Sequence, residues 1–305
     1  MASRRHVFAH IGDTHVFRGD QRLQDKLDAL RQIVGWCRAC AERRELAAIL
    51  WPGDLFHKAG SGEDRIVEEN LLMPIVQDLA SLAPVLMVYG NHDAPGSLEV
   101  FRNLHTIWPV VVADTPHTVS IRCATEIGAR VACLPYPHRA GLVGAGVAHE
   151  DLGQTARQLL EPQFALFADE LHQAEAEGEI PIFIGHVNVG GSVSSTGQPQ
   201  IGREIELDPG LLGRLDAALY KGLNHIHKHQ VVAGDTVYAG SICRQDFGEN
   251  EPKGFVVVTI DEDIADSTAT VRREWAFQPL DVPAQILVEG RLTRDGFRFE
   301  HDDWM

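Results

Sequence analysis

Residues that can bind metal ions follow short apolar segments at five places in this chain. Apolar β-branched residues favour strands, whereas Asp, Asn and His do not, so most of these segments are predicted to be strands that end in polar side chains. Ligands of open α/β sheets bind outside the carboxyl ends of strands, so the groups are expected to form one cluster. The groups are Gly12-Asp-Thr-His15, Gly53-Asp54 with His57, Gly90-Asn-His-Asp93, Gly185-His186 and Asn224-His-Ile-His227.

The predicted ligand set combines imidazole, carboxylate and amide groups and contains no thiolate. This chemistry favours Mn, Fe or Zn and differs from a structural thiolate zinc site. Seven ligands are too many for one ion and suit two ions about 3.5–4 Å apart, as in phosphoryl-transfer hydrolases. Asp54 is the predicted bridge between the ions. The seven residues are Asp13, His15, Asp54, Asn91, His186, His225 and His227.

Each motif alone has an ordinary structural explanation. An Asp-x-His sequence after a strand is most often a turn, and Gly53-Asp54 alone is weaker still. His225 and His227 lie on one side of an extended segment, since side chains alternate in a strand. The function is therefore inferred from the joint occurrence of all five motifs.

Length and composition indicate one large α/β domain with or without a small appendage, since the chain has 305 residues and 44% hydrophobic content. The net charge of −16 argues against a nucleic-acid-binding protein, although bound cations would offset ligand carboxylates. Five cysteines and the absence of an apolar run of about 20 residues predict a reduced, cytoplasmic protein without a membrane span. The Cys37-x-x-Cys40 pair lies in a helical pattern, so a redox or zinc role is not expected.

Apolar periodicity predicts helices over Gln21–Arg44 and Asp64–Leu82, and Pro74 is expected to kink or split the second. A short helix over Ser97–Asn103 is predicted with Ser97 as its N-cap. Strand–helix alternation over the first 90 residues predicts a parallel sheet, and later short strands predict a mixed one. Further predicted elements are a helix over Leu152–Glu177, strands including Ala217–Tyr220, Gln230–Ala233, Thr236–Ala239, Gly254–Ile260 and Thr268–Phe277, and a hairpin of 285–289 with 296–300.

The five motifs together resemble the calcineurin-like metallophosphoesterase superfamily over residues 6 to about 260. Three further stretches resemble its SbcD-type DNA-repair exonuclease branch. They are Gly53-Asp-Leu-Phe-His57, Asn224-His-Ile-His-Lys-His-Gln230, and Tyr238-Ala-Gly-Ser241 followed by Asp246-Phe-Gly248.

This resemblance implies a four-layer α/β/β/α sandwich of two mixed sheets between helices. It implies that His92 faces the scissile phosphate and assists the leaving oxygen, that His57 contacts the phosphate or an outer position, and that Asp93 orients His92. One ion would be bound by Asp13, His15, Asp54 and His227, and the other by Asp54, Asn91, His186 and His225. A hydroxide bridging the ions would attack phosphorus. The two ions are expected to be Mn²⁺, with Mg²⁺, Fe²⁺ or Zn²⁺ as alternatives.

The chain departs from the family pattern at two places. Asn224 replaces the usual Gly before His-x-His and is expected to adopt the left-handed backbone that Asn tolerates. Residues 1–278 are predicted to form the catalytic domain and 279–305 a short extension. This extension is too small for the DNA-capping domain and ATPase-binding helices of relatives, so a minimal, phage-encoded member and a truncated tail are both alternatives.

The leading hypothesis is a manganese-dependent DNA exonuclease or endonuclease for repair, recombination or phage DNA processing, with an SMC-like SbcC-type ATPase as partner. A homodimer through the first two long helices is an alternative assembly. A second hypothesis is a phosphodiesterase or phosphatase acting on small nucleotides or phosphoproteins. The third is a scaffold with an inactive site, and the complete ligand set argues against it.

Overall fold

The computed structural model describes residues 3–57, 62–137, 152–198, 205–246, 248–263, 270–284, 290–293 and 296–299. The helices in these ranges are α1 (Leu23–Glu42), α2 (Glu63–Leu82), α3 (Glu99–Arg102), α4 (Leu152–Ala176) and α5 (Pro209–Leu212). The strands are β1 (Ser3–His10), β2 (Leu46–Pro52), β3 (Val85–Val88), β4 (Val110–Ala113), β5 (His117–Arg122), β6 (Gly128–Leu134), β7 (Ile180–His186), β8 (Asn188–Val189), β9 (Glu206–Leu207), β10 (Tyr220–Asn224), β11 (Gln230–Val232), β12 (Thr236–Tyr238), β13 (Gly254–Asp263), β14 (Thr270–Pro279), β15 (Gly290–Thr293) and β16 (Gly296–Phe299).

Two six-stranded sheets form the centre of the protein. The first has the order β14-β13-β1-β2-β3-β4, with β1 to β4 parallel and with β13 and β14 added antiparallel at one edge. The second has the order β11-β12-β10-β7-β6-β5, in which the four inner strands are parallel and both edge strands are antiparallel. Both sheets are therefore mixed, as expected.

Side-chain alternation builds three apolar layers from these sheets. On β1, Ala9 points to the layer that contains α1 and α2, whereas Phe8 points to the layer between the sheets. Phe183 of β7 points to the third layer, where it contacts Phe164 and Phe167 of α4 at ring distances of 5.7 and 6.0 Å. The order helix, sheet, sheet, helix confirms the predicted four-layer α/β/β/α sandwich.

The helices differ from the predictions in two details. The second long helix, α2, is one continuous element despite Pro74, so the missing amide donor does not split it. The short helix α3 begins after Leu98, and Ser97 is not its N-cap; the Ser97 hydroxyl is buried without a hydrogen-bond partner among the described residues. None of the helices that the structure describes is long and apolar enough to cross a membrane.

Two predicted strands are shifted. The strand expected at Ala217–Tyr220 forms at Tyr220–Asn224, where it pairs in parallel with both β7 and β12. A C-terminal hairpin is present as β15 with β16, while the expected first strand, 285–289, lies outside the described residues. The division at residue 278 stays a prediction; it coincides with the end of β14, after which Leu280 N–H still donates to the Lys253 carbonyl at 2.9 Å.

Candidate metal centre

The predicted ligands meet where parallel strands of both sheets end. Asp13 follows β1, Asp54 follows β2 and Asn91 follows β3, all in the first sheet. His186 is the last residue of β7, and His225 follows β10 in the second sheet. Because the carboxyl ends of these strands share one edge of the sandwich, the five chain segments converge as predicted.

The backbone around the ligands is unusual. His15, Asp54 and His225 have positive φ angles of 48°, 51° and 102°. Such angles are rare for residues other than Gly and concentrate at functional sites. Gly90 permits the close packing, since a Cβ there would lie 2.1 Å from Asp54 Oδ1.

Four side chains converge at one part of the centre. Asn91 Oδ1 lies 3.0 Å from both His186 Nε2 and His225 Nδ1. His186 Nε2 is also 3.3 Å from Asp54 Oδ2. We call Asn91, His186 and His225 the His186 group; the resemblance assigns them, with Asp54, to one ion.

The remaining ligands lie on the other side of Asp54. His15 Nε2 is 3.0 Å from His227 Nε2 and 3.6 Å from Asp54 Oδ2. Donor atoms of Asp13, His15 and Asp54 all lie within 4.8 Å of one another. We call Asp13, His15 and His227 the His15 group, and Asp54 is shared between both groups.

The chemistry and spacing of these donors fit divalent cations. Bonds of about 2.0–2.2 Å to nitrogen and oxygen place neighbouring ligands of one ion about 3 Å apart, which is the spacing within each group. The Asp13 and Asp54 carboxylates are also almost fully buried. Buried carboxylates need compensating positive charge, which ions held between the groups would supply.

The shifted pKa values reflect this need for positive charge. Burial alone raises the pKa of Asp54, but the His186 and His15 imidazoles outweigh burial and hold it well below its usual value. Burial conversely lowers the pKa of His186, but Asp54 and Asp13 overcome this and raise it to about 9. For Asp13, burial dominates over the neighbouring imidazoles and the pKa is raised.

His92 and His57 lie beside the His15 group. The His92 amide donates to Asp54 Oδ1 at 2.9 Å, and its ring Nδ1 donates to the His57 carbonyl. The His57 and His92 rings stack with centroids 5.4 Å apart, and the His15 ring is 4.9 Å from that of His92. Since a carbonyl can only accept, Nδ1 of His92 carries the proton and Nε2 is the ring nitrogen left for a substrate.

Asp93 binds the loop backbone, and the expected contact with His92 is not formed between these two described residues. Asp93 Oδ2 accepts from the Asp54 and Gly90 amides at 2.9 Å each, and Oδ1 accepts from the Phe56 amide at 3.1 Å. Burial, followed by the nearby Asp54 carboxylate, raises the pKa of Asp93 to about 7. Asp93 therefore fixes the two loops that carry Asp54 and His92, and the His57 carbonyl orients the His92 ring.

Asn224 has a role that differs from the expected one. The left-handed backbone occurs at His225, and Asn224 is the last residue of β10. Its Oδ1 lies 3.0 Å from His10 Nε2, and its Nδ2 donates to the Ile11 carbonyl at 3.0 Å. His10 Nδ1 is 2.7 Å from the Tyr220 hydroxyl. These buried contacts join the two sheets directly beneath the metal centre.

Several residues of the centre were missed by sequence reasoning. Gln198 contacts both residues of His-x-His, because its Nε2 donates to the His225 carbonyl at 2.7 Å and its Oε1 accepts from the His227 amide at 3.1 Å. It lies in the Gly- and Ser-rich segment after β8, and only its place near a ligand could have drawn attention to it. Lys26, Glu249 and Lys253 are buried ionic residues in patterns that carried no ligand signal.

A cleft of about 680 Å³ opens over both ligand groups. His57 and His92 line it together with candidate ligands of both groups, and it continues past Phe17 and Arg22 toward Asp246. The catalytic candidates and the ligand groups therefore face one common space. Its lining residues are His15, Phe17, Gly19, Asp20, Gln21, Arg22, Asp54, His57, Asn91, His92, Gly197, Gln198, His225, His227, Gln245, Asp246 and Glu249.

The fold and the donor set define a metal-dependent phosphoesterase. Residues 6–220 match the model of the calcineurin-like phosphoesterase family, and the chain belongs to that family. The family uses a centre of two divalent metal ions, which agrees with the two ligand groups on either side of Asp54.

A curated relative narrows the comparison. The chain is 24% identical over 263 residues to the SbcD subunit of the nuclease SbcCD from Staphylococcus saprophyticus, covering 82% of this chain and 65% of the relative. The chain thus spans less than two thirds of that protein's length.

Solved structures resemble the chain more distantly. A Staphylococcus aureus protein assigned as a 5′-nucleotidase gives a TM-score of 0.48 at 12% identity, over 96% of this chain and 56% of that one. Purple acid phosphatase PPD1 of yellow lupin gives 0.47 at 14% identity, over 86% and 51%.

Proposed function

We propose that the protein is a manganese-dependent phosphodiesterase that cleaves DNA as an exonuclease or endonuclease. The observation that carries this proposal is the convergence of seven donors around Asp54, with His92 and His57 lining the same cleft. The similarity to an SbcCD nuclease component supports DNA as the substrate among the phosphoesters. Repair, recombination or phage DNA processing in the cytoplasm would be its setting.

Both ligand groups are proposed to hold one ion each, with Asp54 contributing to both. When bound, the two ions would activate water and offset the negative charge that develops on the phosphoryl oxygens. Mn²⁺ suits the mixture of imidazole, carboxylate and amide donors, as would Fe²⁺ or Zn²⁺.

His92 is proposed to deliver a proton to the leaving sugar oxygen. Its Nδ1–H is held by the His57 carbonyl, so a proton on Nε2 is the one available to the substrate. The amide of His92 is bound to Asp54, which ties the position of the ring to the metal centre. His57, stacked on His92, is proposed to contact a non-bridging phosphate oxygen.

An SMC-like ATPase of the SbcC type is proposed as a partner, again from the relative's name. A homodimer is proposed less directly. The apolar stripes of α1 and α2 pack in the layer against the first sheet, so burial within the chain already accounts for them.

A phosphodiesterase or phosphatase acting on nucleotides or phosphoproteins is the second candidate. It is favoured by the acidic character of the cleft, where Asp20, Asp246 and Glu249 add carboxylates to those of the metal centre. The net charge of −16 would likewise oppose the approach of a long polyanion.

End-labelled linear duplex DNA incubated with the protein and Mn²⁺, without ATP, tests the proposal. A small chromogenic phosphodiester is assayed in parallel, and His92→Ala serves as the control. We expect cleavage of the DNA that is lowered about 10²- to 10⁴-fold in the variant, the range for removing a proton donor. Hydrolysis of the small diester alone would favour the second candidate, and loss of bound metal in His92→Ala would contradict the role given to His92.

A further inference from the structure

A buried ion pair lies next to His227 and belongs to neither ligand group. Glu249 and Lys253 are only 1% and 2% exposed, and Lys253 Nζ lies 2.7 Å from Glu249 Oε2. Lys253 also donates to Ser241 Oγ at 3.0 Å, to Glu251 Oε1 at 3.0 Å and to the His227 carbonyl at 3.2 Å. The pair is thereby fixed to the backbone of the His-x-His segment.

The second oxygen of Glu249 faces the ring of His227. Glu249 Oε1 is 3.5 Å from His227 Nδ1, and both atoms are buried. Neither atom has a closer hydrogen-bond partner among the residues that the structure describes. A small approach of the two therefore satisfies a buried donor and a buried acceptor at once.

The contact decides which nitrogen of His227 holds the proton. An ionised carboxylate can only accept, so Nδ1 must be the donor, and Nε2 keeps its lone pair. His227 Nε2 is the atom that lies 3.0 Å from His15 Nε2 in the metal centre. A metal ligand requires this unprotonated nitrogen.

His186 is supported differently. Its Nδ1 donates to the Pro52 carbonyl at 2.8 Å, which is a neutral acceptor, while the Asp13 carboxylate is more distant at 3.8 Å. A carboxylate partner makes an imidazole a stronger ligand than a neutral partner does, and such outer contacts typically change metal affinity about 10- to 100-fold. The two ion positions therefore have unequal support.

We propose that Glu249, held by Lys253, is a positioning residue that fixes the ring and the tautomer of His227 and makes the His15 group the tighter of the two metal sites. This inference rests on the proposed function. Glu249 does not contact the substrate in this proposal and acts only through His227.

Glu249→Gln is the decisive substitution because Lys253 dictates how the new amide is oriented. The ammonium group requires an oxygen at the position of Oε2, so the NH₂ group of the amide must face His227 Nδ1. That NH₂ donates to Nδ1 and transfers the ring proton to Nε2, inside the metal centre. In the double variant Glu249→Gln with Lys253→Met the amide is free to turn, and its oxygen again accepts from Nδ1–H.

The first measurement is a calorimetric titration of the metal-free full chain with Mn²⁺. We expect two binding events in the wild type, of which Glu249→Gln weakens the tighter one about 10- to 100-fold and leaves the other unchanged. The double variant should recover part of this loss. Lys221→Met is the matched control, since Lys221 is also buried and paired with a carboxylate, Asp235 at 2.7 Å, but lies at the start of β10 away from the centre.

The second measurement is heteronuclear NMR of the metal-free chain with nitrogen-labelled histidine, in which His227→Asn identifies the His227 signals. The wild type should show the Nδ1–H tautomer of His227, and Glu249→Gln the Nε2–H tautomer. An unchanged tautomer, or equal weakening of both binding events, would overturn the inference while the two-metal function stands. A wild type that binds fewer than two equivalents of Mn²⁺ would overturn the proposed function as well.

Discussion

The two ligand groups are built on different kinds of backbone. His186, in one group, is part of β7 and is paired across the sheet with Asn224 of β10. His15 and His227, in the other, lie in the loops after β1 and β10. The carbonyl of His15 accepts from Lys26 Nζ at 2.7 Å, and that of His227 accepts from Lys253 Nζ at 3.2 Å.

Each of these lysines is itself paired with a carboxylate. Lys26 Nζ lies 2.6 Å from Asp20 Oδ2, and Lys253 Nζ lies 2.7 Å from Glu249 Oε2. Burial lowers the pKa of Lys26, and the Asp20 contact opposes this shift. A ligand within a strand is held by the hydrogen bonds of the sheet, whereas ligands in loops require buried ion pairs to fix their backbone.

Removing the residue shared by both groups should have the largest effect. Asp54→Ala is expected to abolish tight binding of both ions, because Asp54 Oδ2 faces His15 on one side and His186 on the other. Phosphodiester hydrolysis should fall by about 10³-fold or more as charge stabilisation is lost. Metal content by mass spectrometry after gel filtration checks this. Retention of one full equivalent would show that Asp54 serves a single site, and Asp261→Ala, at the outer edge of the first sheet, is the surface control.

Lys26→Met should affect one group only. The His15 carbonyl loses its donor, and we expect Mn²⁺ affinity to fall about 10-fold or more at one of the two sites, as for other outer contacts. Titration of the metal-free variant with Mn²⁺ measures this. Lys221→Met is again matched, because Lys221 also binds a backbone carbonyl, that of Leu212 at 3.2 Å, and a carboxylate. The same loss in both variants would mean that stability, and not support of the loop, is responsible.

The smallest effect on the centre is expected from His10, which lies beneath both groups and uses neutral contacts. Burial lowers the pKa of His10 to about 3, so the folded protein keeps this ring neutral where the unfolded chain, with a pKa near 6.5, binds a proton. The free energy of unfolding should therefore be fully supported above about pH 6.5 and fall by about 1.4 kcal/mol for each pH unit down to about 3.

Urea unfolding of metal-free wild type and His10→Gln between pH 7 and pH 4 tests this. The variant should show a shallower dependence on pH, by up to one proton, while remaining less stable at pH 7 because the contact with Tyr220 is disturbed. Identical pH dependence in both proteins would mean that His10 is not the group that titrates. The number of Mn²⁺ sites should be unchanged.

Much of the fold could be predicted because its signals are local. Apolar runs, each ending in Gly and a polar residue, marked β1, β2, β3 and β7. The side-chain period of each helix was sufficient for α1, α2 and α4. Boundaries were less certain, as Ser97 shows, because a cap depends on where the chain turns in three dimensions.

The sequence by itself determined the chemistry of the candidate site. Residue types and their order gave seven donors, and the rule that parallel strands share a carboxyl edge brought them together. Only the tertiary structure decided how these donors are supported. Asn224 joins the two sheets, Asp93 binds loop amides, and Glu249 faces His227. Such contacts depend on the packing of one sheet against the other and on loop geometry, which no local pattern of residues encodes.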